Sequence, residues 1–296
     1  MLERFYHQIT GSDSSPKLVF LHGVMGFAAN WRRIAKAFEG EFQVLAFDQR
    51  GHGRSFHAPT GYAPEDYAGD LTAILEDLGW DEINLVGHSM GGRVAYHFAA
   101  RHPERVTRLV IEDIGPSMHP TASSLVLRLL DAIPVPFASK REARSWFDSE
   151  FMRLFAGEPQ TKGLAEYLYA NLTENRAKQV VWRFSEAGIR ETLAQGRRLE
   201  RWDDIHSLRM PTLLIRGESS RDLPRELFLR MLQENPGIEG VEIKGSGHWC
   251  TVISPIVLSR CSGDFCREKN SGPPRESNSS PDASVFLSFP WDVAAS

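Results

Sequence analysis

The stretch Gly87-His88-Ser89-Met90-Gly91-Gly92 decides the fold. It directly follows an apolar run, Ile83 to Val86, and directly precedes a segment that favours a helix. A serine on a sharp strand-to-helix turn needs small neighbours, because only then can the strained backbone close and project Oγ above the sheet. The helix after the turn points its free N–H groups at developing negative charge. The pattern therefore predicts a nucleophile elbow, with Ser89 as the nucleophile.

Short aliphatic runs alternate with helix-length amphipathic segments on both sides of this turn. The runs predict strands that are buried on both faces: Leu18 to Leu21, Val44 to Phe47, Ile83 to Val86, Leu109 to Ile111, Leu213 to Ile215 and Val241 to Ile243. The amphipathic segments predict helices over Asn30 to Phe38, Pro64 to Leu78 and Gly92 to Arg101. Strands that alternate with helices imply right-handed crossovers. We therefore expect an α/β fold, with a mostly parallel sheet and helices on both of its faces.

A long segment interrupts this alternation. The strand signals stop at Gly115-Pro116 and resume after Met210-Pro211, and the residues between them show helical periodicity. Open α/β sheets place their sites at the carboxyl ends of the strands, where an insertion can cover them. We therefore expect an all-helical cap over 116–209, between two parts of the core at 1–115 and 210–266. The segment 267–296 is rich in Ser and Pro and predicts a disordered tail.

Composition and charge exclude several classes of protein. The 296 residues carry a formal net charge of −4 without a block of like charges, which argues against a nucleic-acid partner. No apolar run is long enough for a membrane span, and the N-terminus lacks the apolar stretch of a secretion signal. The three cysteines offer no paired disulfide framework. We therefore expect a protein of the reducing cytosol.

A second loop is predicted to face the elbow. His22-Gly23-Val24-Met25-Gly26 follows the strand Leu18 to Leu21, which is where an oxyanion loop has to lie. The backbone N–H groups of Val24 and Met90 are the predicted donors to the oxyanion of a tetrahedral intermediate. We expect His22 to brace this loop by hydrogen bonding rather than to act as a base.

A serine hydroxyl is a weak nucleophile at neutral pH and needs a general base. Among ten histidines, His248 is the one that lies late in the chain on a glycine-rich loop after a predicted strand. This position fits the chain order serine, acid, histidine. We interpret the segment 48–55 as a glycine-rich turn whose Asp and Arg side chains hold the loop in place. The sequence has no phosphate-loop, dinucleotide or H-E-x-x-H pattern, so we expect no cofactor and no metal.

Together these motifs resemble the α/β-hydrolase fold family in order and spacing, over about residues 2 to 249. Asn171-Leu172, Trp182-Arg183-Phe184 and the stretch from Glu112 to Pro116 are similar, more narrowly, to small bacterial acyl esterases with a helical cap and their mitochondrial relatives. The family usually ends with an amphipathic helix after the histidine loop. Here the segment Ile253 to Phe265 shows only a weak amphipathic pattern. If the helix is missing, the loop that carries His248 is less firmly anchored.

The predicted triad acid is Asp113, with Asp222 as the alternative. Many members of the family carry the acid a few residues after the strand that matches Leu213 to Ile215, but this chain has serine at the commonest position. Asp113 ends the strand after the elbow helix, and Gly115-Pro116 then turns the chain, so its carboxylate can reach His248 across the strand ends. Asp222 lies two residues beyond the commonest position, where we expect a helix-start residue that faces solvent.

These residues predict a serine carboxylesterase that works through an acyl-enzyme intermediate on a small acyl ester. We expect an uncharged or apolar acyl group, because the cap is rich in apolar side chains and has no concentrated basic patch. The apolar residues considered for this role are Leu127, Leu130, Phe137, Trp146, Phe147, Phe151, Phe155 and Trp182. Some of the aromatic residues among them must instead form the core of the cap, which is the commoner role of such side chains. Two alternatives stay open: another triad chemistry, such as C–C bond hydrolysis or perhydrolysis, and a catalytically inactive ligand-binding protein. The resemblance disfavours haloalkane dehalogenases and epoxide hydrolases, because their nucleophile is Asp.

Overall fold

The computed structural model describes residues 1–117, 124–158 and 161–248. The predicted tail over 267–296 and the part of the core after residue 248 lie outside these ranges. A seven-stranded sheet forms the centre of the fold, in the order β1-β3-β2-β4-β5-β8-β9. Its strands are β1 (His7–Thr10), β2 (Lys17–Leu21), β3 (Gln43–Phe47), β4 (Ile83–His88), β5 (Val106–Glu112), β8 (Thr212–Gly217) and β9 (Ile238–Ile243). Only β1 pairs antiparallel with its neighbour, so the predicted mostly parallel sheet is confirmed.

Helices cover both faces of the sheet, because alternate strand residues point in opposite directions. The core helices are α1 (Arg32–Phe38), α2 (Pro64–Leu78), α3 (Met90–Arg101), α9 (Trp202–Ser207) and α10 (Arg225–Glu234). In β4, for example, Leu85 belongs to the core cluster that contains residues of α2, α3 and α10, whereas Val86 belongs to the cluster on the α1 side. This alternation places the elbow between two packed layers, at the carboxyl end of a central strand.

The inserted segment forms a cap with its own apolar core. Its elements are α4 (Ser124–Ala132), α5 (Lys140–Trp146), α6 (Met152–Leu154), α7 (Thr161–Ala170), β6 (Leu172–Glu174), β7 (Val180–Trp182) and α8 (Glu186–Arg198), with a π-helical turn at Phe147–Phe151 between α5 and α6. The expectation of an all-helical cap is wrong here, because β6 and β7 pair as an antiparallel hairpin. Each strand has only three residues, too few for an alternating pattern to be visible in the sequence.

The end of the insertion belongs to the core. Ile205 in α9 and Leu208 after it pack in the main core cluster, and Asp204 accepts a hydrogen bond from His97 Nδ1 of α3 at 2.7 Å. The structural boundary therefore lies before α9, a few residues earlier than the predicted boundary at 209. Of the helices in the described ranges, none has the length and hydrophobicity that a membrane span requires.

Candidate active site

The elbow holds Ser89 between β4 and α3 with φ at +53°, a left-handed conformation that is uncommon for any residue except glycine. The backbone leaves no room for side chains on either side of the turn. A Cβ on Gly91 would lie 2.3 Å from the carbonyl oxygen of Leu21, and one on Gly87 would lie 2.3 Å from the carbonyl oxygen of Gly91. Because the clashing atoms belong to the backbone and cannot move away, glycine is required at both positions. The strained turn aims Oγ out of the sheet.

The loop after β2 lies directly against this serine. A Cβ on Gly23 would lie 3.2 Å from Cβ of Ser89, so the loop backbone passes next to the hydroxyl. Val24 and Met90 line the same cavity as Ser89. Met90 is the first residue of α3, where a backbone N–H has no acceptor within the helix. The two predicted oxyanion donors therefore border the cavity in which a carbonyl group would meet Ser89.

His22 braces the base of this loop. Its Nε2 accepts a hydrogen bond from the backbone N–H of Gln49 at 2.9 Å, and its Nδ1 lies 2.9 Å from the carbonyl oxygen of Gly23. Burial lowers the pKa of His22 to about 4, so the ring is neutral and Nδ1 donates. His22 thus fixes the loop as a neutral ring with both nitrogens engaged, in agreement with the predicted bracing role.

His248 reaches Ser89 from the loop after β9. Its Nε2 lies 2.8 Å from Oγ of Ser89, within hydrogen-bond distance. The backbone of this loop is held by His88, whose Nε2 donates to the carbonyl oxygen of His248 at 2.9 Å. Burial lowers the pKa of His88 to about 3, so His88 stays neutral beside His248. His88 of the elbow thus holds the backbone of the loop that carries His248.

Asp113 binds the other nitrogen of the same ring, with Oδ2 at 2.8 Å from His248 Nδ1. The carboxylate is completely buried directly after β5, at a residue with φ of +55°. Its Oδ1 accepts the backbone N–H of Gly217 at 2.8 Å, and its Oδ2 also accepts the hydroxyl of Ser220. Burial raises the pKa of Asp113, and these donors oppose that rise. The structure thus joins Ser89, His248 and Asp113 in one hydrogen-bonded chain.

Asp222 also faces His248, although we expected its side chain to face solvent. Its Oδ2 lies 3.5 Å from His248 Nδ1, and only a quarter of the side chain is exposed. The loop after β8 turns back toward the ring because the backbone N–H groups of Asp222 and Leu223 both donate to the hydroxyl of Ser220, each at 3.2 Å. Two carboxylates therefore lie near one imidazole nitrogen, with Asp113 at hydrogen-bond distance and Asp222 further away.

These charges determine the protonation of His248. Burial alone favours the neutral ring, but the negative charges of Asp222 and Asp113 and the hydrogen bond to Asp113 outweigh it. Together they raise the pKa of His248 to about 9. The ring must lose this proton before Nε2 can accept one from Ser89, so the site becomes competent as a base on the alkaline side of neutrality.

Ser220 is a residue of the site that the sequence reasoning did not include. A signal for it was present, because a serine at the commonest acid position of the family is the feature that drew attention to Asp113. The hydroxyl lies where it donates to the Asp113 carboxylate, and it also organises the loop that carries Asp222. Only the three-dimensional pairing of β5 with β8 shows that these two positions meet.

The cavity above Ser89 lies between core and cap. Its cap side is lined by Leu125, Val126, Leu129, Tyr167, Leu168, Thr192, Leu193 and Gly196, and its core side includes Tyr67, Arg93 and Ile114. None of the eight apolar cap residues proposed from the sequence is among the lining residues, so that expectation is wrong. Six of them are buried in the cap core, and Leu127 and Trp146 pack against it. The periodic spacing of these side chains thus reflects packing inside the cap. From a sequence alone, such spacing cannot be distinguished from that of residues that contact a ligand.

The glycine-rich turn at 48–55 is structural, as predicted. The Asp48 carboxylate accepts the backbone N–H groups of Ala28 at 2.7 Å and Arg54 at 2.8 Å. Arg50 donates through Nε and Nη2 to the two carboxylate oxygens of Asp70, at 2.5 and 2.6 Å. In the described ranges, no group of three or more His, Cys, Asp or Glu side chains is arranged to hold a metal ion.

Comparison with known proteins identifies the family of this chain. The family profile described as alpha/beta hydrolase fold matches residues 16–252. A putative esterase/lipase of Haemophilus influenzae is 27% identical over 261 residues, which cover 88% of this chain and 86% of that protein. The sn-1-specific diacylglycerol lipase ABHD11 of Mus musculus is 30% identical over 253 residues, covering 82% of this chain and 78% of the mouse protein. Among solved structures, a marine microorganism esterase superposes with a TM-score of 0.74 at 25% identity, covering 88% of this chain and 98% of that one.

Proposed function

Because the chain belongs to the α/β-hydrolase fold family, we propose that it is a serine hydrolase that cleaves carboxylic esters of small molecules through an acyl-enzyme intermediate. The observation that carries the proposal is the continuous chain of 2.8 Å contacts from Ser89 Oγ through His248 to Asp113. The similarity to proteins described as an esterase/lipase and a diacylglycerol lipase supports an ester as the substrate.

In the proposed first half-reaction, His248 Nε2 takes the proton of Ser89 as Oγ attacks the ester carbonyl carbon. The carbonyl oxygen becomes negative and accepts hydrogen bonds from the backbone N–H groups of Val24 and Met90. His248 then gives its proton to the departing alkoxide, which leaves as the alcohol. The acyl group remains on Ser89 as an ester.

In the second half-reaction, His248 takes a proton from water, and the resulting nucleophile attacks the acyl carbonyl. The second tetrahedral intermediate collapses, and the proton from His248 returns to Oγ of Ser89 as the carboxylic acid leaves. Asp113 touches only the imidazole. Its role is to hold Nδ1 protonated, which leaves Nε2 as the acceptor, and to stabilise the imidazolium that forms in each step.

The test is labelling of the full chain with a fluorophosphonate probe, combined with hydrolysis of p-nitrophenyl valerate without added metal. We expect the wild type to be labelled and active, because an activated serine beside oxyanion donors reacts rapidly with such probes. Ser89→Ala should lose both signals. Ser219→Ala is the matched control, since this exposed serine lies in the same region but does not contact the ring, and it should behave like the wild type.

Labelling that persists in Ser89→Ala would refute the assignment of the nucleophile. A folded wild type that is neither labelled nor active would instead favour an inactive ligand-binding protein. Hydrolysis that a chelator abolishes and zinc restores would contradict the proposed serine mechanism.

A further inference from the structure

Arg93 is a buried cation one helical turn beyond the nucleophile. Its backbone N–H donates to the carbonyl oxygen of Ser89, the residue directly before α3, at 3.0 Å. Arg93 is only 5% exposed, and its side chain lines the cavity that Ser89 also lines. Neither the catalytic chain nor the oxyanion loop uses this guanidinium.

The contacts of Arg93 leave its charge unneutralised. Its Nη1 donates to the carbonyl oxygen of Gly196 at 2.9 Å, and its Nη2 donates to that of Gly115 at 3.2 Å. Within the described ranges, no carboxylate oxygen lies within 4.0 Å of this guanidinium. A guanidinium has five N–H donors, so three remain after these two bonds. Buried arginines are normally paired with an anion, because a desolvated charge is costly without one.

Arg93 is a positively charged residue in a largely apolar cavity. Most of the residues that line the cavity are apolar or aromatic, among them Val94, Ile114 and Leu193. Asp222 is the acidic side chain among the described lining residues, and it is engaged with His248 at 3.5 Å. An anionic group on a ligand would therefore meet one unneutralised positive charge in a largely apolar cavity. In such surroundings an ion pair is stronger than in water.

We propose that Arg93 is a specificity-determining residue that binds a carboxylate on the substrate, so that the preferred esters carry a carboxylate a few bonds from the scissile ester group. The inference rests on the proposed function and narrows its substrate class from carboxylic esters in general to esters that also carry a carboxylate, in place of the uncharged acyl group expected from the cap sequence. The planar fork of the guanidinium suits the two oxygens of a carboxylate. Binding there fixes the position of the ester relative to Ser89, because Ser89 directly precedes the helix that carries Arg93.

The experiment compares esters of equal chain length with and without the charge. On the acyl side, the p-nitrophenyl monoester of glutarate is compared with p-nitrophenyl valerate. On the alcohol side, 4-acetoxybutanoate is compared with butyl acetate. We expect the wild type to prefer the charged ester in at least one pair by roughly tenfold to a hundredfold in kcat/KM, the range of a hydrogen bond to a charged group.

Arg93→Met should abolish this preference, so that the ratio of kcat/KM for the charged ester to that for the neutral ester falls to about one, whereas Arg93→Lys should retain part of it. Arg101→Met is the control. It removes the same charge from the same helix, but its side chain is 64% exposed and does not line the cavity, so the preference should persist. Arg93→Gln keeps amide donors for the carbonyl oxygens of Gly196 and Gly115, and it replaces Arg93→Met if that variant does not fold.

The ratio of charged to neutral rates separates recognition from a purely structural role of Arg93, because a structural defect lowers both rates together. The inference is overturned if the wild type shows no preference in either pair, or if the preference survives in Arg93→Met or Arg93→Gln. Hydrolysis of the valerate ester without any preference refutes this inference alone. A wild type that cleaves none of the four esters and is not labelled by a fluorophosphonate refutes the proposed function as well.

Discussion

Replacing Asp222 by Asn should make the protein a faster esterase at neutral pH. The base of the proposed reaction is neutral His248, and the carboxylate of Asp222, 3.5 Å from Nδ1, favours its protonated form. With the pKa of His248 at about 9, only about one ring in a hundred is neutral at pH 7. Removing the charge of Asp222 lowers this pKa and increases the neutral fraction, so kcat/KM should rise at pH 7 and stay nearly unchanged above pH 9 or so.

Coulomb's law gives the size of the effect. Two unit charges 3.5 Å apart interact by about 1.2 kcal/mol in surroundings that resemble water and by about 5 kcal/mol at an effective dielectric constant of 20. Asp222 is a quarter exposed, so we take the lower part of this range. Since about 1.4 kcal/mol corresponds to one pH unit, the midpoint of the pH profile should move down by about one to two units. The rate at pH 7 should then rise about tenfold or more.

The assay is kcat/KM for p-nitrophenyl valerate between pH 5 and 10, with the wild type, Asp222→Asn and Asp113→Asn side by side. Asp113 bonds the ring directly, so Asp113→Asn should lower kcat by up to about 10⁴-fold, because the ring is then held in the wrong tautomer. A profile of Asp222→Asn that coincides with the wild type would refute the electrostatic argument. If Asp222→Asn lost most of its activity while Asp113→Asn kept nearly all of it, Asp222 would be the triad acid.

Three further predictions concern stability. Gly91→Ala should lower the free energy of unfolding in urea by about 3 kcal/mol or more, because the new Cβ would lie 2.3 Å from the Leu21 carbonyl oxygen. Gly163→Ala, in α7 with open space around the new Cβ, should raise it by up to about 1 kcal/mol, and equal effects of the two variants would contradict the packing argument. The pKa of His248 in the folded protein lies above its ordinary 6.5, so the charged ring stabilises the fold fully below pH 6.5 and this stabilisation is lost as the pH rises through about 9. The difference in free energy of unfolding between wild type and His248→Gln should therefore shrink by roughly 3 kcal/mol across this window, and a constant difference would refute the argument. Arg50→Met should cost about 3 kcal/mol by stranding the buried Asp70 carboxylate, and Asp70→Leu added to it should recover part of the loss.

The parallel core was predictable because its signals are local. Each central strand is buried on both faces and is a continuous aliphatic run, and the helix Pro64–Leu78 begins at a proline and is capped by Gly79 in the left-handed conformation. The edge strand β1 gave no such signal, since three of its four residues are exposed and it is held by pairing with β3. The cap hairpin of β6 and β7 escaped prediction for the same reason, because its short strands depend on each other and not on a local pattern.

The site divides in a similar way. Ser89 could be located because the elbow is a local pattern of glycines around a serine between a strand and a helix, and His248 because its loop follows the last strand in a known order. Apart from Asp113, the environment of the ring could not be predicted, since it depends on loops that meet only in the folded chain. The distance from Asp222 to Nδ1 and the burial of Arg93 without a carboxylate partner in the described ranges are examples, because neither residue belongs to a recognisable motif.

The sheet explains how Asp113, the proposed acid, can reach the ring from the end of β5, although the family resemblance places the acid more often after β8. These two strands are parallel neighbours with Glu112 opposite Ile215, so the residues that follow them emerge side by side at one edge. A carboxylate from either position can therefore reach the same imidazole nitrogen. Ser220, at the position where the family resemblance more often places the acid, donates a hydrogen bond to Asp113. Asp222 adds a second negative charge further out, which raises the basicity of His248 without replacing Asp113 as its direct partner.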